Sequence, residues 1–441
     1  MDTRNKNMDE ITALQKNMPT QAILVARIEE GMTEENREKS LDELEQLLET
    51  AGGVCFARLS QTRPHPDVRT YLGSGKAEEL SQLIKGNKIT LIVVDDELSP
   101  SQIKNLEDAM ETEVRVIDRT MLILDIFARN AVTSEGILQV EIAQLKYSMP
   151  RLLGKGTALS RLGGGIGTRG PGESKLETDR RHIKRRIAYL EEALREMDET
   201  RSIQRSARRS SGIPQIAIAG YTNVGKSTLL NHLTHANILS EDKLFATLDP
   251  TTRRLKLPTA GEVVLTDTVG FIQHLPHHLV EAFKSTLDEV VLADLILIIL
   301  DASNPEVDHQ LSVTEQILSA LYAKRKAEPR PMLYVFNKCD RVEKKMLPLL
   351  TPRADTVYIS AVTGEGIDTL IARIEKAVSE CKKEVVFKFP NAFGGGYLNR
   401  LYKTSTVVSC DYASDGMLIR VIADEKIRSM YKEFLVEKGG N

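Results

Sequence analysis

Ile216-Ala-Ile-Ala-Gly220-Tyr-Thr-Asn-Val-Gly225-Lys226-Ser227-Thr228 decides how the chain is read. A short apolar run, with the character of a buried strand, meets a glycine, four residues, then Gly-Lys-Ser and a helical pattern. That is the strand–loop–helix setting of a phosphate-binding loop. The glycines let backbone N–H groups curl around phosphate oxygens. Lys226 is placed to reach the β- and γ-phosphates, and the Ser227 hydroxyl to ligate Mg²⁺. A glycine turn that matches by accident would not explain both the strand before it and the helix after it.

The 441 residues exceed what one hydrophobic core supports, so several domains are expected. With 41% hydrophobic and 27% charged residues and no Trp, the composition is that of a globular protein. The net charge of −3 gives no global field for nucleic acid, so any such surface must be local. The apolar run 295–300 is too short to span a bilayer, and Met1-Asp-Thr-Arg-Asn-Lys lacks the apolar core of a signal peptide. Cys55, Cys339, Cys381 and Cys410 are scattered without metal-ligand or disulfide spacing, as in a reduced cytoplasmic protein.

Residues 1–20 read as a loose lead-in. From 21 to 132, candidate strands at 22–28, 54–59, 91–94 and 114–117 alternate with helices at 41–48, 77–84 and 103–110. This predicts a small α/β domain with a largely parallel sheet. Its loop 63–76 is either a solvated connection or a basic loop that meets a ligand, and no catalytic constellation stands out. In 133–209, Leu138, Ile142, Leu145 and Met149 form one helical seam; Ile183, Ile187, Leu190, Leu194 and Met197 form another. The pair predicts an antiparallel helical hairpin with a long tip loop; a dimeric coiled coil is the alternative. Self-packing of the two seams favours a monomer.

The tip, 151–172, carries Arg151, Lys155, Arg161 and Arg169 and no acidic residue, and the second helix opens with Lys175, Arg180 and Arg181. A long glycine-rich loop with only basic charge suits phosphate oxygens, so Lys155, Arg161, Arg169 and Lys175 are candidate RNA contacts; a merely solvated helix face is the alternative for the helix. Gly165-Ile-Gly-Thr-Arg-Gly170 matches a dinucleotide fingerprint in spelling only, because no strand precedes it.

From 210 to 380 the strand–helix alternation resumes, and further motifs follow in the order a GTP-binding domain requires. Phe245, Ala246, Thr247, Leu248 and Asp249 stand where a switch segment should lie. Asp267, Thr268, Val269 and Gly270 end a strand; the carboxylate suits water-mediated Mg²⁺, and the Gly270 N–H suits the γ-phosphate. Asn337, Lys338, Cys339 and Asp340 end another. The Asp340 carboxylate can accept from N1–H and the N2 amino group of guanine, a donor pair that adenine lacks. Ser360, Ala361 and Val362 complete the base pocket.

Phe271 stands where many GTPases carry a water-orienting glutamine, so slow, partner-stimulated hydrolysis is expected; Gln273 and His274 are near in sequence. Asn223 matches the asparagine of GTPases that use potassium, making K⁺ a candidate second ion. Residues 381–441, with candidate strands at 384–389, 404–411 and 417–423 and a terminal helix after Asp424, read as a small α+β packing or docking module. The fold class is therefore α/β: a P-loop GTPase domain preceded by a small α/β domain and a helical hairpin, and followed by that module.

The loop Gly220-Tyr-Thr-Asn-x-Gly-Lys-Ser227, the stretches Phe245-Ala-Thr-Leu-Asp249 and Asp267-Thr-Val-Gly-Phe271, and Glu173-Ser-Lys-Leu-Glu-Thr-Asp-Arg-Arg181 after the glycine-rich loop resemble the HflX family of GTPases. The resemblance runs from about residue 22 to about 380. It implies a cytoplasmic GTPase of the 50S ribosomal subunit that splits or rescues stalled ribosomes, with peripheral membrane association left open and no membrane anchor. It implies Ser227 and Thr247 as Mg²⁺ ligands, and GTP or GDP contacts at Gly220, Tyr221, Thr222, Asn223, Val224, Gly225, Lys226 and Ser227 and along the later motifs. Some members act on ATP too, which Asp340 does not predict. A regulatory GTPase with a non-ribosomal protein or ribonucleoprotein partner is the alternative.

Overall fold

The computed structural model describes residues 20–29, 31, 33–152, 171–210, 213–234, 244–245, 251–259, 261–272, 284–343, 355–380, 383–390, 394–413, 416–423 and 425–436. Contacts divide the chain into one unit of Met1–Leu194, Lys243–Phe245 and Leu275–Ala282, and a second of the remainder.

The first unit is built on strands β1 (Thr20–Ile28), β2 (Gly53–Thr62), β3 (Leu91–Val94) and β4 (Arg115–Asp118), in the order β2-β1-β3-β4 and parallel throughout. The alternation in the sequence predicted this sheet. Helices α1 (Glu34–Thr50), α2 (Ser74–Asn87) and α3 (Pro100–Met110) connect the strands. Ala22 through Ala26 are all buried, as expected of a parallel strand covered on both faces. The helix starts follow local chemistry. Thr33 caps α1 by accepting the Asn36 N–H, with Glu34 and Glu35 in the first turn. Ser99 and Gln102 form a reciprocal capping box for α3, whose first residue is Pro100.

Helix α4 (Arg119–Asn130), absent from the sequence reading, begins directly where β4 ends. Asp118 closes the strand and caps the helix, its Oδ1 accepting the Met121 N–H at 2.9 Å. Its Oδ2 accepts from the Leu98 N–H, from Arg151 Nη2 at 2.9 Å and from the Tyr147 hydroxyl. Beside it, buried Arg119 pairs with Asp95 at 2.7 Å and with Glu43. These charges are buried yet matched, the condition under which an interior ion pair is tolerated.

Helix α5 (Ser134–Leu152) buries a second stripe beside its expected seam. Of Leu138, Ile142, Leu145 and Met149 only Ile142 is buried, and the inward face is Gln139, Val140, Ile142, Ala143 and Tyr147. The cause is that α5 packs on α3 and α4. Helix α6 (Pro171–Ser210) buries Ile187 and Leu190 from its seam, and the pairs Arg186–Glu141 and Lys146–Glu191, each 2.8 Å, tie it to α5. The tip residues 153–170 lie outside the described residues.

The second unit contains β5 (Gln215–Gly220), α7 (Lys226–Thr234), β6 (Thr251–Leu257), β7 (Gly261–Asp267), α8 (Lys284–Leu292), β8 (Leu295–Asp301), α9 (Val307–Arg325), β9 (Met332–Asn337), β10 (Thr356–Tyr358) and α10 (Ile367–Glu380). Its sheet order is β10-β9-β8-β5-β7-β6, with only β6 antiparallel. Every residue of β8 is buried. The motif-bearing turns fall at the carboxyl ends of β5, β7, β9 and β10, where ligands bind in such sheets.

The chain closes with β11 (Lys383–Phe389), α11 (Gly394–Thr404), β12 (Thr406–Ala413), β13 (Gly416–Ala423), α12 (Glu425–Met430) and β14 (Leu435–Val436). The antiparallel order β12-β13-β11-β14 makes this a split βαβ arrangement. Its core is an aromatic cluster of Phe387, Phe389, Tyr397, Tyr431 and Phe434. Among the described residues no helix is long and apolar enough to cross a membrane.

Asp118→Ala strands the Tyr147 hydroxyl and Arg151 in the interior and removes the α4 cap. We expect it to cost about 3–5 kcal/mol of first-unit stability in urea unfolding. Breaking the exposed Lys85–Glu111 pair with Glu111→Ala should leave the midpoint in place.

Candidate nucleotide-binding site

The phosphate loop is fixed from three sides. From the β7 side, Tyr221 bridges Phe271 in parallel: Thr222 N–H donates to Phe271 O at 2.8 Å, and Phe271 N–H donates to Gly220 O at 3.0 Å. From the β9 side, Asn337 Nδ2 donates to Val224 O at 2.8 Å while its Oδ1 accepts the Ala361 N–H at 2.9 Å. One amide thereby joins the phosphate loop to the base loop. Gly225 is obligatory here: its φ is +92°, and a β-carbon would collide with Asn337 Nδ2. From the β8–β9 edge, Lys338 Nζ donates to Asn223 O at 2.8 Å and pairs with Asp301 Oδ2 at 2.8 Å.

Within this frame the phosphate-binding groups converge. Lys226 is buried at the start of α7, its ammonium donating to Gly220 O at 3.2 Å and Tyr221 O at 2.6 Å. Burial holds its pKa down at about 8 against the pull of the Asp267 carboxylate. Ser227 Oγ donates to Asp267 Oδ2 at 2.7 Å. A hydroxyl and a carboxylate side by side are the hard oxygen set that suits Mg²⁺, one as a direct ligand and one through water, with the nucleotide phosphates supplying the rest. Thr268 is fully buried and structural, its hydroxyl donating to Ile218 O at 2.7 Å. Val269 and Phe271 are core residues.

In the base pocket the Asp340 side chain is exposed at the end of β9, ready to accept from guanine. Cys339 is buried, its N–H on Ile359 O, and burial pushes its thiol up to about 11, so it packs as a neutral group. Ser360 is fully buried and its Oγ accepts the Thr363 N–H, which shapes the loop that presents Ala361 and the exposed Val362.

The structure thus brings together Gly220 to Ser227, Asp267 to Gly270, Asn337 to Asp340 and Ser360 to Val362. Phe245 groups with the first unit, its ring edge-on to Phe127 at 4.6 Å and its carbonyl accepting from Asn130 Nδ2 at 2.9 Å. Ala246, Thr247, Leu248, Asp249, Gln273 and His274 lie outside the described residues, as do Lys155, Arg161 and Arg169; of Lys175 only the helical backbone is described. Sequence reasoning missed Asp301, which anchors Lys338 and is itself fixed by the Ser303 N–H and hydroxyl at 2.9 and 2.6 Å. The available signal was a carboxylate closing a wholly apolar strand.

A largely parallel sheet with a phosphate loop at one strand end and an Asn-Lys-x-Asp turn at another is the arrangement of a GTP-binding, GTP-hydrolysing domain. Comparison with known proteins agrees. Sequence profiles described as "GTP-binding GTPase N-terminal", "GTP-binding GTPase Middle Region" and "50S ribosome-binding GTPase" match residues 38–128, 130–208 and 215–338. The GTPase HflX of Caldanaerobacter subterraneus is 47% identical over 94% of this chain and 94% of its own. That of Escherichia coli is 41% identical over 79% and 81%. A solved GTP-binding protein of Sulfolobus solfataricus in complex with GDP is 24% identical over 82% of this chain and 99% of that one, with a TM-score of 0.43. The chain belongs to the HflX family of GTPases.

Asp301→Asn keeps the shape of the anchor and removes its charge. It should weaken GTP and GDP binding about 10-fold in fluorescent-nucleotide titrations, leaving the single-turnover hydrolysis rate within about 3-fold.

Proposed function

We propose that this GTPase binds the 50S ribosomal subunit and uses its nucleotide state to split or rescue stalled ribosomes in the cytoplasm. The observation that carries the reading is the acid-free basic stretch 151–172, inserted between two helices of a family whose GTPase profile is described as ribosome-binding. Lys155, Arg161, Arg169 and Lys175 supply charges that pair with RNA phosphates without reading sequence. The proposed division of labour follows the chain: an α/β domain at 21–132, a helical hairpin at 133–209, the GTP-binding domain at 210–380 and an accessory domain at 381–441. The protein works as a monomer. GTP contacts run along the five motif stretches, and Ser227 with Thr247 would hold Mg²⁺, which would neutralise phosphate charge and couple the nucleotide state to the switch segment.

K⁺ is the proposed second ion. Asn223 supports it: its backbone is left-handed at φ 60°, its carbonyl is taken by Lys338, and its side chain is exposed beside the phosphate loop. A monovalent cation there would offset charge building on the phosphates in the transition state.

Cosedimentation with 50S and 70S particles in GTP, a non-hydrolysable analogue and GDP tests the ribosome reading; binding should be strongest with the analogue. Arg161→Ala with Arg169→Ala should flatten the log-affinity against log-salt slope by roughly 2. Failure to bind in every nucleotide state would overturn the proposal and leave the GTPase assignment standing. In K⁺ buffer, turnover should exceed that in Na⁺ by about 10-fold, roughly 1.4 kcal/mol of barrier; equal rates would remove K⁺ from the site.

A further inference from the structure

Phe271 cannot orient water, and its geometry shows that it is not meant to. Its side chain is 2% exposed, and both its backbone polar groups are spent on Gly220 and Thr222. Hydrolysis therefore needs another hydrogen-bonding group beside the γ-phosphate, held without help from that side chain.

Thr222 meets the requirement. It is 5% exposed, and its Oγ1 is buried without a hydrogen-bond partner. The other serine and threonine hydroxyls of the described nucleotide stretches are all engaged: Ser227 with Asp267, Thr268 with Ile218 O, Ser360 with the Thr363 N–H. An unpaired buried hydroxyl costs about 1–3 kcal/mol and is rare in a folded interior. Its location gives the cost a purpose. A β-carbon placed on Gly270 would fall 2.7 Å from Thr222 Cγ2, 2.8 Å from Thr222 Cα and 2.9 Å from Lys226 Nζ. Thr222 thus shares one point with the lysine that reaches the γ-phosphate and the glycine whose N–H senses it. The backbone beneath is rigid, because the Thr222 N–H is fixed on Phe271 O.

We propose that Thr222 is a catalytic residue: its hydroxyl donates to a γ-phosphate oxygen and accepts a hydrogen bond from the attacking water, aligning that water with phosphorus. A hydroxyl has one donor and two acceptor positions, enough for both contacts at once. In the step it serves, the water oxygen bonds to the γ-phosphorus as the bond from phosphorus to the bridging oxygen breaks. That electron pair leaves on GDP, and the proton lost by water passes to a phosphate oxygen. Threonine ends in the state in which it began, so no general base is required.

The test uses the full chain and needs no ribosome, so its outcome is independent of the ribosome reading. Thr222→Val keeps the volume and the Cγ2 contact and removes the hydroxyl; Thr222→Ser keeps the hydroxyl and removes the methyl. Single-turnover phosphate release should fall about 10²-fold in Thr222→Val, the size of losing one preorganised hydrogen bond at a transition state. Thr222→Ser should recover most of that loss, and the GDP affinity of both variants, which involves no γ-phosphate, should stay within about 3-fold of the parent. Thr222→Val hydrolysing at the parent rate would overturn the proposal. So would Thr222→Ser falling as far as Thr222→Val, or GDP affinity falling in step with rate, since either would make Thr222 a packing residue of the loop.

Discussion

The side-chain amide of Asn337 is the contact on which the nucleotide site depends. It ties the phosphate loop to the base loop, holding Val224 O with its NH₂ and the Ala361 N–H with its carbonyl. A buried amide engaged on both sides is stabilising and specific, because neither partner has water to fall back on. It also explains neighbouring choices in the sequence. Position 225 must be glycine because the amide fills the space a β-carbon would take. Position 338 takes a left-handed backbone, φ 62°, and its ammonium then lies on Asn223 O, where Asp301 neutralises it. The phosphate loop and the base loop are thus joined through the side chains of Asn337 and Lys338.

The two parallel sheets put polar residues at their carboxyl edges to opposite uses. In the first unit the strand ends are closed: Asp95 is taken by Arg119 and Ser40, Asp96 by the Tyr71 hydroxyl, and Asp118 by four donors. Burial pushes the Asp95 carboxyl upward, and the Arg119 guanidinium opposes it, as in a structural network. In the second unit the corresponding edge is open. Lys226 is held on backbone carbonyls, Asp340 is exposed, and the Thr222 hydroxyl is without a partner. The location in the sheet that commonly makes a site was in one case satisfied internally and in the other kept for a ligand.

That contrast also marks what was legible in the sequence. The phosphate loop, Asp267 to Gly270 and Asn337 to Asp340 are short spacings at strand ends, and their chemistry is local, so residue type and order suffice. Asp301 was invisible because its partner lies far along the chain and meets it only across neighbouring strands. Helix α4 was missed because Asp118 serves as strand end and helix cap with nothing between. On α5 a second, buried stripe that includes polar Gln139 and Tyr147 lies beside the half-buried seam, and periodicity of apolar residues cannot foresee it. Helix α11 opens on three glycines, the poorest formers after proline. It holds because Tyr397 and Leu401 join the aromatic core, a tertiary gain that outweighs local propensity.

Moving the water-orienting group from the switch into the phosphate loop changes what controls the reaction. A glutamine after Asp-x-x-Gly rides on a segment that rearranges with the nucleotide, so its catalytic pose is part of the switch. Here the position after Gly270 is pinned by a β-bridge to Tyr221, and its phenyl ring is sealed in the core. A threonine in the loop is in place whenever nucleotide is bound. Its single hydroxyl offers weaker alignment than an amide with separate donor and acceptor arms. Under the proposed mechanism such a site is assembled whenever nucleotide is bound, and further gain in rate falls to the proposed cation beside Asn223 or to a partner. The proposed slow basal rate would then follow from where the hydroxyl is anchored.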